Sequence, residues 1–364
     1  MTGNKTPLVS ILSSSFNHEK YVKFFIESVL AQTYTNWELI IVDDYSKDNT
    51  VAEIKKFTDP RIKLIQQPFN TGINYAGMTS FNASRGKYVV QCASDDMLTP
   101  NFVQTVVDYM EQHPNVGVFY PGLQCIDTEN NIIPDKEIAS YQGSKYELLN
   151  RLFYNENCLT SPGQVTRREA VAVIQPLDIA ISQHQDYKVH IELLLNTDCF
   201  VSTDKLVLYR VPSAKSGISY RTEASQRRCA LEEDLVMNAF LRIDNFDTLY
   251  AIFGKDLDQF GSDLSKNFQR VKPFVLGKLA LKSGNEAKKI WGYKQIVRFI
   301  NTIDNYKLVH DLYGFDFRAF LDLANEFDVN PFFIKYQKYK KLFNTTIAAT
   351  VILLIAFVLY MVLK

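Results

Sequence analysis

Residues 7–50 read PLVSILSSSFNHEKYVKFFIESVLAQTYTNWELIIVDDYSKDNT. The apolar run at 8–12 is short and β-prone. The longer run at 37–42 is almost continuously apolar, which is typical of a strand buried on both faces of a parallel sheet. Between them, 19–32 carries its apolar side chains at helical spacing. The stretch therefore predicts a strand, a helix and a second strand that ends at Asp43.

The same alternation continues along the chain. Further strands are predicted at 62–66, 88–92, 116–120 and 200–210, and helices at 49–57, 100–112, 146–154 and 181–195. Strands that alternate with helices indicate βαβ units and a mostly parallel sheet. We therefore predict an α/β domain over residues 1–215, followed by a helical region over 216–342, because helical patterns dominate from Ala224 onward.

Polar side chains collect where the predicted strands end. Three such clusters occupy 13–17, 43–48 and 94–96. In parallel sheets, ligands bind beyond the carboxyl ends of the strands. The three clusters therefore predict one binding site at that edge of the sheet.

The end of the chain differs in composition. Residues 347–363 read IAATVILLIAFVLYMVL, without charge or proline, and roughly 20 apolar residues suffice to cross a bilayer core. Lysines and tyrosines at 335–341 precede this run, and basic residues favour the cytoplasmic side of a membrane. The sequence predicts a membrane anchor over 343–364, with a span at about 345–363 in the inner membrane and the catalytic domain on the cytoplasmic side.

Composition restricts the classes of partner. Lysine plus arginine equals aspartate plus glutamate, at 40 each, so the net charge is zero. Nucleic-acid binding usually requires a basic excess, and no nucleic-acid partner is expected. The five cysteines are scattered, which argues against a disulfide framework and a zinc site.

Several ordered motifs carry a family resemblance. Residues 7–50 resemble the opening of the family 2 glycosyltransferases, which has a strand, a polar turn, a helix and a V-D-D motif. The resemblance continues through RIKLIQQPFNTG at 61–72 and RGKYVVQCASDDMLTPNF at 85–102, and it weakens after about 125 residues. It implies a GT-A (nucleotide-diphospho-sugar transferase) fold and transfer of a sugar from a nucleotide diphosphate.

The resemblance also implies roles for particular residues. Asp96 corresponds to the family's metal ligand, with Mn²⁺ or Mg²⁺ as the cofactor, because these ions prefer oxygen ligands. Asp95 is implied to contact ribose or sugar, and Asp44 to contact the base. The implied nucleotide-sugar contacts further include Ser14, Phe16, Asn17, Asn70 and Gly72. From the residues alone, Ser94 to Asp96 are also compatible with a helix cap before Pro100.

An inverting transfer needs a base that accepts the proton of the acceptor hydroxyl. The family places it in an E-D pair that opens a helix. The segment QHQDY at 183–187 resembles that pair, and Asp186 is the candidate base. An aspartate favoured at a helix N-terminus is the structural alternative. His184 and His190 are weaker candidates.

Three departures from the family pattern affect the expected diphosphate contacts. Gly77 and Met78 stand where an Arg-Asn pair is expected, and Pro212 stands in place of a histidine. Contacts to the diphosphate would then come from elsewhere, with Arg85, Arg210 and Lys215 as candidates.

These features predict an inverting glycosyltransferase that transfers a sugar to a membrane-associated glycan or glycolipid. The expected products are lipid-linked oligosaccharide, lipopolysaccharide, capsule or O-antigen. Two alternatives remain open: transfer of the sugar to a polyprenyl phosphate, and an inactive scaffold that retains the fold. The sequence gives no indication of the oligomeric state.

Overall fold

The computed structural model describes residues 6–211 and 222–327, together with Phe343. The chain divides into two compact units, of which the first covers Met1–Tyr306 and the second begins at Lys307. All the site residues discussed below belong to the first unit.

Eight strands of the described residues form one mixed sheet. They are β1 (Val9–Ser15), β2 (Trp37–Asp43), β3 (Ile62–Gln66), β4 (Tyr88–Gln91), β5 (Met97–Leu98), β6 (Val116–Ile126), β7 (Gln164–Arg167) and β8 (Asp198–Arg210). Their order across the sheet is β3-β2-β1-β4-β7-β6-β8-β5. The pairs among β3, β2, β1 and β4 are parallel, as predicted. Beyond β4, only the β6–β8 pair is parallel.

The register of the parallel strands decides where their ends meet. Ser15 pairs with Asp43, and Asp43 pairs with Gln66, so β1, β2 and β3 end level with one another. Gln91 pairs with Leu12, so the residues after β4 run beside the end of β1. The three polar clusters of the sequence therefore lie along one edge of the sheet.

Helices cover the sheet and continue into the helical region. They are α1 (Val22–Leu30), α2 (Thr50–Ile54), α3 (Ile73–Ala83), α4 (Phe102–Gln112), α5 (Lys145–Tyr154), α6 (Arg168–Val173), α7 (Gln185–Asn196), α8 (Glu223–Met237), α9 (Phe246–Phe253), α10 (Leu264–Ala280), α11 (Glu286–Ile300), α12 (Ile303–Tyr313) and α13 (Phe317–Asp322). Short 3-10 helices occupy Asn238–Arg242, Gly254–Phe260 and Leu323–Glu326. The apolar spacing of α1 buries Val22, Phe25, Ile26 and Val29 in the sheet core. Full burial of such a side chain is worth about 1.5–3 kcal/mol.

The helices from α8 to α11 pack in the same unit as the sheet. Gly277 of α10 and Gly292 of α11 lie in backbone contact, because a Cβ atom on Gly277 would stand 2.7 Å from the Gly292 carbonyl oxygen. The predicted boundary between the α/β domain and the helical region, at residue 215, lies outside the described residues and stays a prediction.

The two tryptophans are buried in different parts of this unit. Trp37 begins β2, and the Arg61 guanidinium lies 3.7 Å from its ring centroid. Trp291 lies in α11, and its indole N–H donates to the Asn238 side-chain oxygen at 2.9 Å. No acceptor among the described residues reaches the indole N–H of Trp37.

The predicted fold requires one correction. It included a C-terminal transmembrane helix, but no helix in 6–211 and 222–327 is both long enough and apolar enough to cross a bilayer. The predicted span at about 345–363 lies outside the described residues. The described residues therefore form an α/β fold without a membrane-spanning helix, and they do not support the predicted single-pass anchor.

Candidate active site

The loops that follow β1 and β2 are hydrogen-bonded to each other. The Asn17 backbone N–H donates to Ser46 Oγ at 2.9 Å, and Asn17 Oδ1 accepts from the Lys47 N–H at 2.8 Å. Asn17 has a φ of 55°, in the left-handed region, where asparagine is more common than most residues. Asn17 therefore joins the two loops into one surface.

Two aromatic rings project from this surface. Phe16 and Tyr45 are each 42% exposed. Large aromatic side chains are more often buried in the core. Lys47 Nζ lies 3.3 Å from the Tyr45 ring centroid. Ser14 is half-buried beneath the first loop. Tyr45 was missed in the sequence analysis, although its place directly after the V-D-D motif was a usable signal.

Asp44 holds the loop that follows β3. Its Oδ1 accepts from the Thr71 N–H and from Thr71 Oγ1, each at 2.6 Å, and its Oδ2 accepts from the Gly72 N–H at 2.8 Å. Gly72 has a φ of 84°, which favours glycine. Asn70, two residues earlier, is exposed. Asp44 is 5% exposed, and its hydrogen bonds fix the 70–72 loop. Its contact with the base stays a prediction.

The basic residue proposed to replace the missing Arg-Asn pair lies elsewhere. Gly77 and Met78 are in α3, but Arg85 is 81% exposed and lies 3.5 Å from the Glu38 carboxylate. Glu38 is the second residue of β2, at the opposite end of the strand from Asp43. Arg85 is therefore not part of the site.

Asp95 and Asp96 follow β4 and differ in environment. Asp96 is 2% exposed, and its Oδ1 accepts from the Arg210 backbone N–H at 2.8 Å. Burial, together with the charge of Asp95, raises the pKa of Asp96 well above its usual value. The Asp95 side chain remains 34% exposed. One carboxylate is thus held inside the loop and the other is open to solvent.

Arg210 supports this aspartate pair instead of facing a ligand. Its guanidinium donates to the carbonyl oxygens of Asp95 and Asp127 and to Asn130 Oδ1, each at 2.7 Å. The same group lies 4.6 Å from the Tyr21 ring centroid. Arg210 therefore anchors the backbone of the aspartate loop. Pro212 and Lys215 lie outside the described residues.

His18 is a site residue that the sequence analysis did not identify. Its Nδ1 lies 2.7 Å from Ser94 Oγ, which donates to Ser15 Oγ at 2.8 Å, and its Nε2 lies 3.9 Å from Asp95 Oδ2. Ser94 Oγ thus stands between His18 and Ser15 within hydrogen-bonding distance of both. His18 thus connects the β1 loop to the aspartate pair. Its position directly after Phe16 and Asn17 was the available signal.

The aspartate pair can be compared with what a divalent cation requires. The part of the chain that the structure describes contains no group of three or more His, Cys, Asp or Glu side chains placed to hold a metal. Mg²⁺ sites often use one or two carboxylates together with substrate phosphates and water. The open carboxylate of Asp95 and the adjacent Asp96 fit a cation whose remaining ligands come from a diphosphate.

Asp186 lies in the first turn of α7. Its Oδ1 accepts from the Tyr187 N–H at 2.7 Å. Burial raises the pKa of Asp186 to about 6, and the backbone hydrogen bonds oppose this only in part. A carboxyl group with a pKa near 6 is suited to accept a proton at neutral pH.

The two histidines of this segment have structural environments. His190 is completely buried between Tyr120 OH, 3.1 Å from its Nδ1, and Ser161 Oγ, 3.4 Å from its Nε2. Burial lowers the pKa of His190 to about 3, so the ring is neutral. His184 Nε2 lies 3.4 Å from Glu233 Oε2, and burial lowers the pKa of His184. Neither histidine is placed as a solvent-facing base.

A carboxylate of the helical region binds the N-terminus of α7. Glu232 Oε1 accepts from the Ser182 N–H and hydroxyl, each at 2.9 Å. Glu232 Oε2 accepts from the N–H groups of Gln183 and His184, at 2.8 and 2.9 Å. Glu232 therefore fixes the backbone just before Asp186. No local signal marked it, because the partners are about 50 residues apart.

A further contact connects the segment before α7 to α3. Asn74, in the first turn of α3, donates through Nδ2 to the carbonyl oxygens of Asp178 and Ile181, at 2.6 and 3.2 Å. The segment that leads into α7 therefore packs beside the loop fixed by Asp44. These two hydrogen bonds hold the segment before α7 against the start of α3.

Comparison with known proteins shows which family the chain resembles. The sequence model described as glycosyl transferase family 2 matches residues 10–174. A relative from Escherichia coli is named UDP-Glc:alpha-D-GlcNAc-diphosphoundecaprenol beta-1,3-glucosyltransferase WfgD. It is 28% identical over 237 residues, which cover 65% of this chain and 89% of WfgD. Chondroitin synthase of E. coli is 36% identical over 134 residues, covering 36% of this chain and 19% of that protein.

Solved structures show the same fold. Residues 1–349 of TarS from S. aureus align with a TM-score of 0.55 at 14% identity, covering 84% of this chain and 91% of that chain. The same fragment, in a crystal structure with UDP-GlcNAc, also aligns with a TM-score of 0.55, at 16% identity. The family model matched at 10–174 and the relative WfgD confirm the predicted resemblance to the family 2 glycosyltransferases and support a transferase enzyme, and the solved structures show the same fold.

Proposed function

We propose that this protein is an inverting glycosyltransferase that moves a sugar from a nucleotide diphosphate to a glycan or glycolipid acceptor. The observation that carries the proposal is the pairing of the Asp95–Asp96 loop with the β1 and β2 loops at one sheet edge, through His18 and Ser94. The family supports transfer of a sugar. The name of WfgD, which gives UDP-Glc as donor, supports a nucleotide sugar here.

The β1 and β2 loops are proposed to bind the nucleotide. The exposed face of Phe16 or Tyr45 offers a stacking surface for a base, and base–aromatic stacking is worth about 1–3 kcal/mol. Asn17 keeps the two loops together, and Asp44 keeps the 70–72 loop beside them. Asp95, with its open carboxylate, is proposed to contact the ribose or the sugar.

The diphosphate is proposed to lie against the aspartate pair. Two adjacent carboxylates would repel a diphosphate, so a cation between them is required by charge. A bound Mn²⁺ or Mg²⁺ would act as a Lewis acid that neutralises the charge left on the departing diphosphate. Asp96 is proposed to hold that cation, and Arg210 keeps the Asp96 loop in place through the Asp95 carbonyl.

Asp186 is proposed to act as the base. Its ionised carboxylate accepts the proton of the acceptor hydroxyl while the acceptor oxygen forms a bond to the anomeric carbon. The bond from that carbon to the phosphate oxygen breaks, and its electron pair leaves with the nucleoside diphosphate. Attack from the face opposite the leaving group inverts the anomeric configuration. Glu232 holds the backbone that carries Asp186 and is a positioning residue.

The proposal is tested by turnover of the full chain with a panel of nucleotide sugars, Mn²⁺ or Mg²⁺, and sugar-diphospholipid acceptors. We expect release of nucleoside diphosphate that depends on the cation and the acceptor, and a product of inverted configuration by NMR. Retention of configuration would refute the inverting mechanism. Transfer only to polyprenyl phosphate would favour that alternative acceptor, and absence of turnover with every donor would favour the inactive scaffold.

A further inference from the structure

A separate cavity lies beside α7 and has no part in the donor site described above. Its volume is about 720 Å³, and it lies between the loop at 139–142 and residues 151–158. Sites for small ligands usually have volumes of about 300–1,000 Å³. The cavity is therefore large enough for a sugar unit.

Two contacts tie the wall of this cavity to the helix that carries Asp186. The Tyr187 hydroxyl donates to the carbonyl oxygen of Leu152 and lies 3.4 Å from that of Asn155, a cavity residue. Ser161, which follows the wall segment, lies 3.4 Å from His190 Nε2. The wall of the cavity thus contacts the first turn of α7 through the Asn155 carbonyl oxygen.

The pKa of Tyr120 is affected by groups of both the cavity wall and α7. Burial raises the pKa of Tyr120, and the charges of Cys199, Cys158 and Asp186 raise it further. Cys158 lies in the cavity wall. Cys158 of the wall and Asp186 thus both contribute to the raised pKa of Tyr120.

The side chains of the cavity suit a neutral polyhydroxylated ligand. Tyr141 is 46% exposed, and the Arg151 guanidinium lies 4.1 Å from its ring centroid. Gln142 and Asn155 bring side-chain amides, which both donate and accept hydrogen bonds. The cavity pairs one cation, Arg151, with one anion, Glu156. An aromatic ring with amides and little net charge matches a sugar better than a phosphate group.

We propose that this cavity binds a sugar unit of the acceptor glycan and presents its hydroxyl to the first turn of α7. The inference rests on the proposed function, because a base must lie within hydrogen-bonding reach of the hydroxyl that it deprotonates. Tyr141 supplies the apolar face for the ring, and Arg151 and the amides bind the hydroxyl groups. The ligand class is a neutral hexose or N-acetylhexosamine.

Saturation-transfer NMR on the full chain tests the proposal without requiring turnover. The probes are methyl glycosides of glucose, galactose, mannose, rhamnose and N-acetylglucosamine. We expect at least one glycoside to receive saturation, and its signal to fall at least fivefold in Tyr141→Ala and in Arg151→Gln. Both side chains are exposed, so the variants should fold, which thermal unfolding checks. Tyr250→Ala removes a similarly exposed tyrosine on α9 and should keep the signal.

Several outcomes would overturn the proposal. These are no saturation of any glycoside, an equal signal in the wild type and both variants, or competition by inorganic phosphate but not by excess glycoside. Failure of the proposed function is seen separately, as absence of nucleotide release by the wild type with any donor. Glycoside binding that depends on Tyr141, without such release, would support the cavity assignment and refute the transferase mechanism.

Discussion

Asp96 combines a buried carboxylate with a neighbouring negative charge. Both features raise its pKa, and the Arg210 N–H is the only described group that donates a hydrogen bond to it. A buried carboxylate of this kind is unfavourable without a counter-charge. The side chain is therefore suited to a cation that arrives with the substrate.

Asp96→Asn tests this role with little disturbance, because the amide oxygen can still accept from Arg210. We expect the nucleoside diphosphate of the donor, with Mn²⁺, to raise the unfolding temperature of the wild type, since ligands that bind only the native state stabilise it. The variant should lose the Mn²⁺-dependent part of this shift. Asp108→Asn, at an exposed position in α4, is the matched control and should keep it. A full Mn²⁺-dependent shift in Asp96→Asn would exclude Asp96 as the metal ligand.

The raised pKa of Asp186 predicts the pH dependence of transfer. A base must be ionised, so kcat/KM should fall about tenfold per pH unit below about pH 6. Asp186→Asn should lower kcat by about 10²–10⁴-fold, the usual contribution of a general base, while donor binding stays. The measurements are a pH profile of initial rates and calorimetry of the binding of the donor's nucleoside diphosphate. An acidic limb near pH 4 would contradict the raised pKa, and an unchanged kcat in Asp186→Asn would show that Asp186 is not the base.

The same shift predicts a gain in stability when the charge is removed. The folded-state pKa of Asp186, about 6, exceeds the unfolded value, which is about 3.9. The native state therefore binds more protons between these values, and this group costs stability as pH rises through that window. Asp186→Asn should be about 1–3 kcal/mol more stable than wild type at pH 7, with no difference below about pH 4. Urea unfolding at both pH values measures it, and equal stability at pH 7 would contradict the raised pKa.

For single residues, the sequence predicted the position in the fold better than the direction of the side chain. Asp44, Asp95 and Asp96 follow buried strands, and parallel strands bring their ends to one edge, so their grouping was predictable. The direction of each side chain depends on partners distant in sequence. Arg210 therefore turned out to hold the aspartate loop, and His190 turned out to be buried.

Among the elements, the parallel half of the sheet followed from its apolar runs, but β7 did not. Gln164–Arg167 has a polar composition, and yet this strand lies between β4 and β6 in the sheet. Arg167 is tolerated there because its guanidinium donates to the carbonyl oxygens of Val116, at 2.8 Å, and Met110, at 2.5 Å. Pattern reasoning cannot detect a buried strand whose polar groups are satisfied by distant carbonyl groups.

The Glu232 carboxylate, a cap that binds the backbone just before α7, is expected to stabilise this part of the fold. Four hydrogen bonds converge on the Glu232 carboxylate, which is 7% exposed. Glu232→Gln should lower the free energy of unfolding by about 1–3 kcal/mol, because hydrogen bonds to a charged group are lost. Glu223→Gln, 88% exposed on the same helix, should have little effect. Equal unfolding midpoints for the two variants in urea would contradict the role of the cap.

The pH dependence of that cap has a defined sign. Burial alone would raise the pKa of Glu232, but the hydrogen bonds from 182–184 outweigh it and lower the pKa. The stabilisation is therefore present above the unfolded pKa of about 4.3 and is lost as pH falls through the lower folded value. The difference in the free energy of unfolding between wild type and Glu232→Gln should decrease below about pH 4.

Across the first compact unit, one buried lysine connects the helical region to the catalytic half. Lys288 of α11 is fully buried, and its Nζ donates to the carbonyl oxygens of Leu152 and Phe153 at 2.7 and 3.0 Å. The same Nζ lies 2.6 Å from Tyr187 OH and 3.7 Å from Glu233 Oε1. Helices α5, α7, α8 and α11 therefore share one polar centre. The sequence predicted the helices but not this contact, because its members span 136 residues.

Lys288→Met should destabilise the protein by about 3–5 kcal/mol, because it leaves the Glu233 charge buried without its partner. Lys266→Met, at a side chain 79% exposed, is the control and should change little. Adding Glu233→Gln to Lys288→Met should recover part of the loss by removing the unpaired charge. Chemical denaturation of the three variants measures this. A loss below about 1 kcal/mol would show that the polar centre is dispensable.

The two tryptophans are intrinsic fluorescent probes of two different parts of the fold. Trp37 reports on the sheet beside a guanidinium, whereas Trp291 reports on the helices with its indole N–H engaged. The Trp291→Phe variant keeps Trp37, so its tryptophan emission reports on the sheet. The Trp37→Phe variant keeps Trp291, so its tryptophan emission reports on the helices. Comparing the two fluorescence traces during unfolding separates the halves without any added dye. It would show directly whether they lose structure together.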